Sequence, residues 1–96
     1  MSSFPFSVVG PQIVAASTIK ATHFIHHVTG SGMITTIEPP ADGFTGPVIF
    51  IGDTENEGPE LAQSEAGNIA GYTAVGFKLA TVMVFDGAIW YPNRSA

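Results

Sequence analysis

The chain has 96 residues and a mass of 10.0 kDa, a length for one hydrophobic core that buries about 60–65% of the unfolded surface. Charged residues make up 11% and hydrophobic residues 45%, with mean hydropathy +0.30; a chain this apolar collapses, which excludes disorder. Three basic residues (Lys20, Lys78, Arg94) against eight acidic ones give a net charge of −5. No cationic cluster is available for phosphates, so neither nucleic acid nor an anionic membrane is expected as a partner.

In chain order, Met1 to Pro11 reads as an extended apolar arm. Phe4, Phe6, Val8 and Val9 need cover, while Pro5 and Pro11 prevent regular ladder pairing. Packing against a neighbouring subunit would hide them, which makes these four residues the self-association candidates. No basic residue precedes the arm and no apolar run reaches about 18 residues, so neither a secretory leader nor a membrane span is expected.

Gln12 to Lys20 and Ala21 to Thr29 read as one long or two abutting strands. Met33 to Glu38 follows the Gly30-Ser31-Gly32 break and stops at Pro39-Pro40. Pro47 to Ile51 has four consecutive apolar residues, the pattern of a strand covered on both faces. Residues 52–68 form an acidic excursion. Its segment Pro59 to Ala66 has helical composition but a single large apolar residue, Leu61, too little for an amphipathic face. Short extended pieces follow around Ile69 and from Tyr72 to Val75.

Phe77 to Phe85 reads as a nine-residue strand with Phe77, Leu79, Met83 and Phe85 on one face. Asp86-Gly87 then predicts a two-residue type I′ hairpin into Ala88-Ile89-Trp90-Tyr91. The expectation is one small all-β unit, an antiparallel β-sandwich or jelly-roll-like domain. Residues 1–22 form its arm and first strand, and 23–96 the β domain.

Four constellations bear on chemistry. On a strand, His23 and His27 would share a face about 13 Å apart, too far to hold one zinc ion, with His26 opposite; no metal is expected. Asp53-Thr54-Glu55-Asn56-Glu57-Gly58 opens like a calcium loop, but Pro59 and Ser64 occupy the seventh and twelfth positions, which argues for a solvated loop. The serines sit in no G-x-S-x-G elbow, and the paired glycines Gly30 and Gly32 lack a third glycine and a following helix. No catalytic set and no cofactor are therefore expected. Trp90 and Tyr91 could stack on a ligand such as a sugar, although neighbours on a strand face opposite ways and one of them belongs in the core.

The string His27-Val28-Thr29-Gly30-Ser31-Gly32-Met33-Ile34-Thr35-Thr36-Ile37-Glu38-Pro39-Pro40 resembles the H-V-T-G-T-x-x-I-T-T-I-x-P-P opening of a small β module of tailed-phage virion proteins. Gly43 to Pro47, Ala66 to Ala70 and Val84 to Pro92 resemble the rest of it, so the likeness spans about residues 26–92. The resemblance implies a structural virion role in a symmetric oligomer, often a trimer. Such modules usually end a long tail fibre or spike. Here Met1 opens the chain some 25 residues before the module, with no collagen-like or coiled-coil stalk. The expectation is therefore a capsid decoration (cement) protein, made in the host cytoplasm, that binds itself and the major capsid protein or other virion proteins on the head surface. A tail-fibre receptor- or glycan-binding module is the alternative.

Overall fold

The computed structural model describes residues 8–93, so Phe4 and Phe6 of the expected arm lie outside the described residues. Ten strands make up the regular structure: β1 Ile13–Val14, β2 Thr18–Lys20, β3 Ile25–Thr29, β4 Gly32–Ile34, β5 Thr36–Glu38, β6 Gly46–Gly52, β7 Pro59–Ala62, β8 Tyr72–Ala74, β9 Ala80–Phe85 and β10 Trp90–Pro92. The chain is all-β, with no helix among the described residues.

The path is a short winding followed by a fold-back. β1, β3 and β6 lie side by side in parallel, β2 runs parallel to β5, and β4 runs parallel to β7. The first pass, β1 to β2, builds two walls, and from β3 on the chain visits three walls in turn. The chain then reverses: β8 pairs antiparallel to β7, β9 to β6, and β10 to β9. The result is a five-stranded sheet in the order β1-β3-β6-β9-β10, a three-stranded sheet β4-β7-β8 and the pair β2-β5.

The pairing is therefore mixed where an antiparallel arrangement was expected. Parallel neighbours need a long crossover, and here the intervening segments supply it by building the other two walls. Ile13 stands opposite Val28, Thr18 opposite Thr36, Ile25 opposite Ile49 and Gly32 opposite Pro59, so the stagger grows from 15 to 27 residues. With no constant period, the winding leaves no repeat in the sequence.

All three walls contribute to one core. Ile19, Val28, Ile34, Ile37, Phe50 and Trp90 are among its buried members. The polar groups inside it are paired. His26 is fully buried with its ring stacked on Phe50. Its Nε2 accepts the backbone N–H groups of Thr22 (2.9 Å) and His23 (3.1 Å), which leaves Nδ1–H to donate to the Pro11 carbonyl at 2.8 Å. One imidazole thus ties the entering segment to the bend before β3.

Asn68 closes the two-stranded wall. Its Nδ2 donates to the Ile37 carbonyl (2.8 Å) and its Oδ1 accepts the Ile37 N–H (2.9 Å), so a side-chain amide stands in for a third strand. Its backbone N–H donates to Thr35 and its carbonyl accepts the Trp90 N–H. The residue before it is Gly67 because a β-carbon there would collide with the Thr35 carbonyl oxygen.

Several elements differ from the sequence expectation. The first long run is three strands, broken at 15–17 and 21–24, so His23 lies in a bend and not on a strand. Pro59–Ala62, inside the acidic excursion, is a strand with Leu61 and Ala62 buried. The expected strand over Phe77–Phe85 starts only at Ala80, because Lys78 takes a positive φ of 58° in a turn closed by the Leu79 N–H to Gly76 bond. Met83 and Phe85 share the buried face, whereas Phe77 and Leu79, expected on the same face, are 39% and 64% exposed.

The Asp86-Gly87 hairpin is present with different chemistry. Phe85 pairs with Trp90, so four residues form the loop, and of these Gly87 alone has positive φ. Asp86 Oδ1 accepts the N–H groups of Ala88 and Ile89, both at 2.9 Å, so the side chain does the turning that a type I′ backbone would have done.

Candidate functional site

Two surface features stand out. The first is the outer side of the five-stranded sheet. Residues opposite each other in a ladder share a face, so Ile25, Ile49 and Val82 form one row, extended by Val9 through its bridge to Ile25. Pro47, Val84 and Tyr91 form the next row. The alternate residues on these strands, such as His26, Phe50, Met83 and Trp90, are buried in the core. An open sheet face ordinarily alternates to polar residues on the wet side; this one stays aliphatic. Not one of the three basic and eight acidic residues falls on its five strands.

Pro47–Ile51 was expected to be covered on both faces. Val48 and Phe50 are buried while Ile49 and Ile51 are half-buried, because the second face has no layer over it within the described residues. Of the expected self-association residues, Val8 and Val9 are 44% and 45% exposed. They run beside β3, where the Ile25 N–H donates to the Val8 carbonyl and the Gly10 N–H to the Ile25 carbonyl. Val9 thereby joins the aliphatic face at its edge. Sequence reasoning missed Ile25, Ile49, Val82 and Val84 as surface residues. The signal was present as apolar residues on both parities of Val48–Ile51 and Val82–Phe85, but it reads equally as a strand buried on two sides.

The second feature is an open cleft of about 400 Å³ lined by Gln63, Ser64, Glu65, Ile69, Ile89 and Tyr91, among others. Tyr91, 46% exposed, forms part of its wall. Trp90 takes no part. It is fully buried, stacked on Phe85 with ring centroids 4.7 Å apart, and its Nε1–H donates to the Ile37 carbonyl at 2.9 Å. As a ligand-stacking candidate Trp90 is therefore corrected to a core residue, and Tyr91 alone faces solvent.

On β3, His26 and His27 face opposite ways as strand parity dictates, whereas His23, in the bend before it, packs edge-on against His26 with ring centroids 5.8 Å apart. His27 points outward at the end of the aliphatic face, and its ring is 2.8 Å from Asp53 Oδ1; Gln12 donates to Asp53 Oδ2 at 2.9 Å. These two hydrogen bonds, that from His27 foremost, hold the Asp53 carboxyl below the usual carboxylate range. A carboxylate-oriented imidazole is half of a nucleophile-activating pair, but among the described residues His27 has no hydroxyl in hydrogen-bond reach. Among those residues no three His, Asp or Glu side chains gather where they could hold a metal ion. In the acidic segment, Asp53, Glu55 and Glu57 are exposed, whereas Glu60 accepts the Tyr72 hydroxyl at 2.6 Å, an interaction that raises the phenol above its ordinary range.

No protein-family model, curated protein or solved structure matches the chain.

Proposed function

We propose that this chain is a self-associating structural protein of a phage virion, a capsid decoration protein that forms a symmetric oligomer, a trimer by the resemblance, and binds the head exterior. The observation that carries this reading is the uncharged aliphatic sheet face on a chain of net charge −5. A small domain has only about 5–15 kcal/mol of stability. Covering such a face against further protein adds to that and removes an aggregation hazard. Four ordered strings over residues 26–92, similar to a tailed-phage β module, supply the virion context. The work is mechanical on this reading: subunits bridge neighbouring shell proteins and raise the force needed to separate them, with no catalytic step.

The test is to mix the purified protein with undecorated capsids and image them by cryo-electron microscopy. Density at symmetry-related positions, saturating with added protein, is expected; bare shells at saturating protein would refute the assignment. The cleft beside Tyr91 favours a second reading, a glycan-binding fibre module, in which the phenol ring stacks on a sugar and Gln63 and Glu65 bond its hydroxyls. Saturable binding on a glycan array that Tyr91→Ala abolishes would select that reading over the first.

A further inference from the structure

Resting on the self-association reading above, we propose that the outward face of the five-stranded sheet is the surface through which copies of this chain meet, each seating its Ile25–Ile49–Val82 and Pro47–Val84–Tyr91 rows against the corresponding face of another copy. Two observations select that occupant, and a third sets how tightly it is held.

The first is charge. Copies carrying −5 each repel one another through any surface that bears the carboxylates. The five strands of this sheet bear none, and the two carboxylates that adjoin it are already hydrogen-bonded, Asp53 by His27 and Gln12 and Asp86 by the Ala88 and Ile89 N–H groups and the Tyr91 hydroxyl. The same lack of charge disfavours other occupants. An anionic lipid or nucleic acid surface would need cations here, and a basic protein would gain nothing by covering a face without acids.

The second is shape. Sheet faces pack with their strands about 30° apart when β-branched ridges interdigitate, and rows built from Ile and Val present such ridges. A face-to-face contact is two-fold and needs a patch that complements itself, which an uncharged aliphatic face is; it joins copies in pairs, and a trimer needs a second contact besides it.

The third is size. With strands about 4.8 Å apart and rising about 3.3 Å per residue, the five strands of two, five, seven, six and three residues offer about 360 Å² per copy, or about 730 Å² for a facing pair. That lies below the area of stable specific interfaces, about 1,000–1,200 Å², and in the range of weak, transient ones. The contact is thus reversible and concentration-dependent, and charge placed at its centre disrupts it.

Sedimentation equilibrium of the full chain over a wide concentration range tests this. Wild type is expected to show a mass above one subunit. Val84→Lys, at a site 41% exposed and so tolerated by the monomer, weakens association by about tenfold or more. Ile49→Thr, which keeps strand propensity, weakens it in the same direction. Met33→Lys, half exposed on β4 in another sheet, leaves it unchanged. Cooperative thermal unfolding of each variant checks that it is folded. If wild type self-associates and both face variants do so with unchanged constants, the face is wrong and self-association stands. If wild type stays at one subunit mass at every concentration, both fall.

Discussion

Asn68 offers the sharpest test of how this fold is held, because one side chain does the work of an absent strand. Asn68→Leu keeps roughly the same length and removes both amide bonds to Ile37. The Ile37 carbonyl retains the Trp90 Nε1–H, but the Ile37 N–H, on a residue with no exposed surface, is left without its acceptor. Each lost bond is worth about 1 kcal/mol and an unsatisfied buried N–H costs about 1–3 kcal/mol, which gives an expected loss of roughly 2–4 kcal/mol. For a domain of this size that lowers Tm by about 10–25 °C. The assay is thermal and urea unfolding followed by circular dichroism at one fixed protein concentration, since association would make Tm concentration-dependent.

Gln63→Leu is the control. Gln63 Oε1 accepts a single N–H, from Gly71 at an exposed site, so its loss should move Tm little. Asn68→Asp adds a second arm. Its carboxylate faces the Ile37 carbonyl without a donor, so it should be destabilised at neutral pH. The gap to wild type should narrow in acid, where the protonated carboxyl regains an O–H. An Asn68→Leu protein within about 0.5 kcal/mol of wild type would refute the strand-substitute role.

Trp90 is the sole tryptophan, so its fluorescence reports directly: blue-shifted emission, slow acrylamide quenching and no response to sugars are expected of a fully buried ring, and red-shifted, readily quenched emission would contradict the core assignment. Gly87→Ala should cost about 1–2 kcal/mol because φ is 105° there; an unchanged urea midpoint would show that the loop relaxes freely. Asp53 and Asp86 are both held below the ordinary carboxylate value of 3.8, Asp53 first by its bond from His27 and Asp86 first by the Ile89 N–H. A depressed native pKa gives stability that is present above the unfolded value and lost as pH falls through the native one. Tm should therefore fall below about pH 4, less steeply in the Asp53→Asn, Asp86→Asn double variant, and equal slopes would remove these two carboxylates as the cause.

What the sequence disclosed depended on how local the cause was. The breaks at Gly30-Ser31-Gly32 and Pro39-Pro40 and the shared face of Met83 and Phe85 follow from backbone and parity rules that act within a few residues. The strand at Pro59–Ala62 was hidden because Pro-Glu-Leu-Ala has no strand propensity; its pairing with β4 decides. Parity alone showed that Trp90 and Tyr91 diverge, but the choice between them is made by the register that sets Trp90 opposite Phe85. The parallel winding was hidden by its uneven stagger. The aliphatic surface was hidden for a different reason: a strand buried on two sides and a strand awaiting a partner have the same composition.

That ambiguity bears on function. The strings that resemble a phage module lie largely where this fold is made. Gly67 clears the Thr35 carbonyl, Asn68 completes a wall, Asp86 turns the hairpin, and Trp90 caps the core with its indole N–H on Ile37. Such letters specify a frame, and one frame can carry unrelated tasks. The task is set by what the frame displays: Ile25, Ile49, Val82 and Val84 on one face, and Tyr91 at its margin beside the cleft. Because Tyr91 borders both features, a copy packed on the proposed face would cover one wall of the cleft. The two proposed readings thus call on one phenol ring, and a Tyr91→Phe variant, which keeps the ring and drops its hydroxyl, separates them. Association through packing should persist, whereas any binding that needs the hydroxyl should be lost.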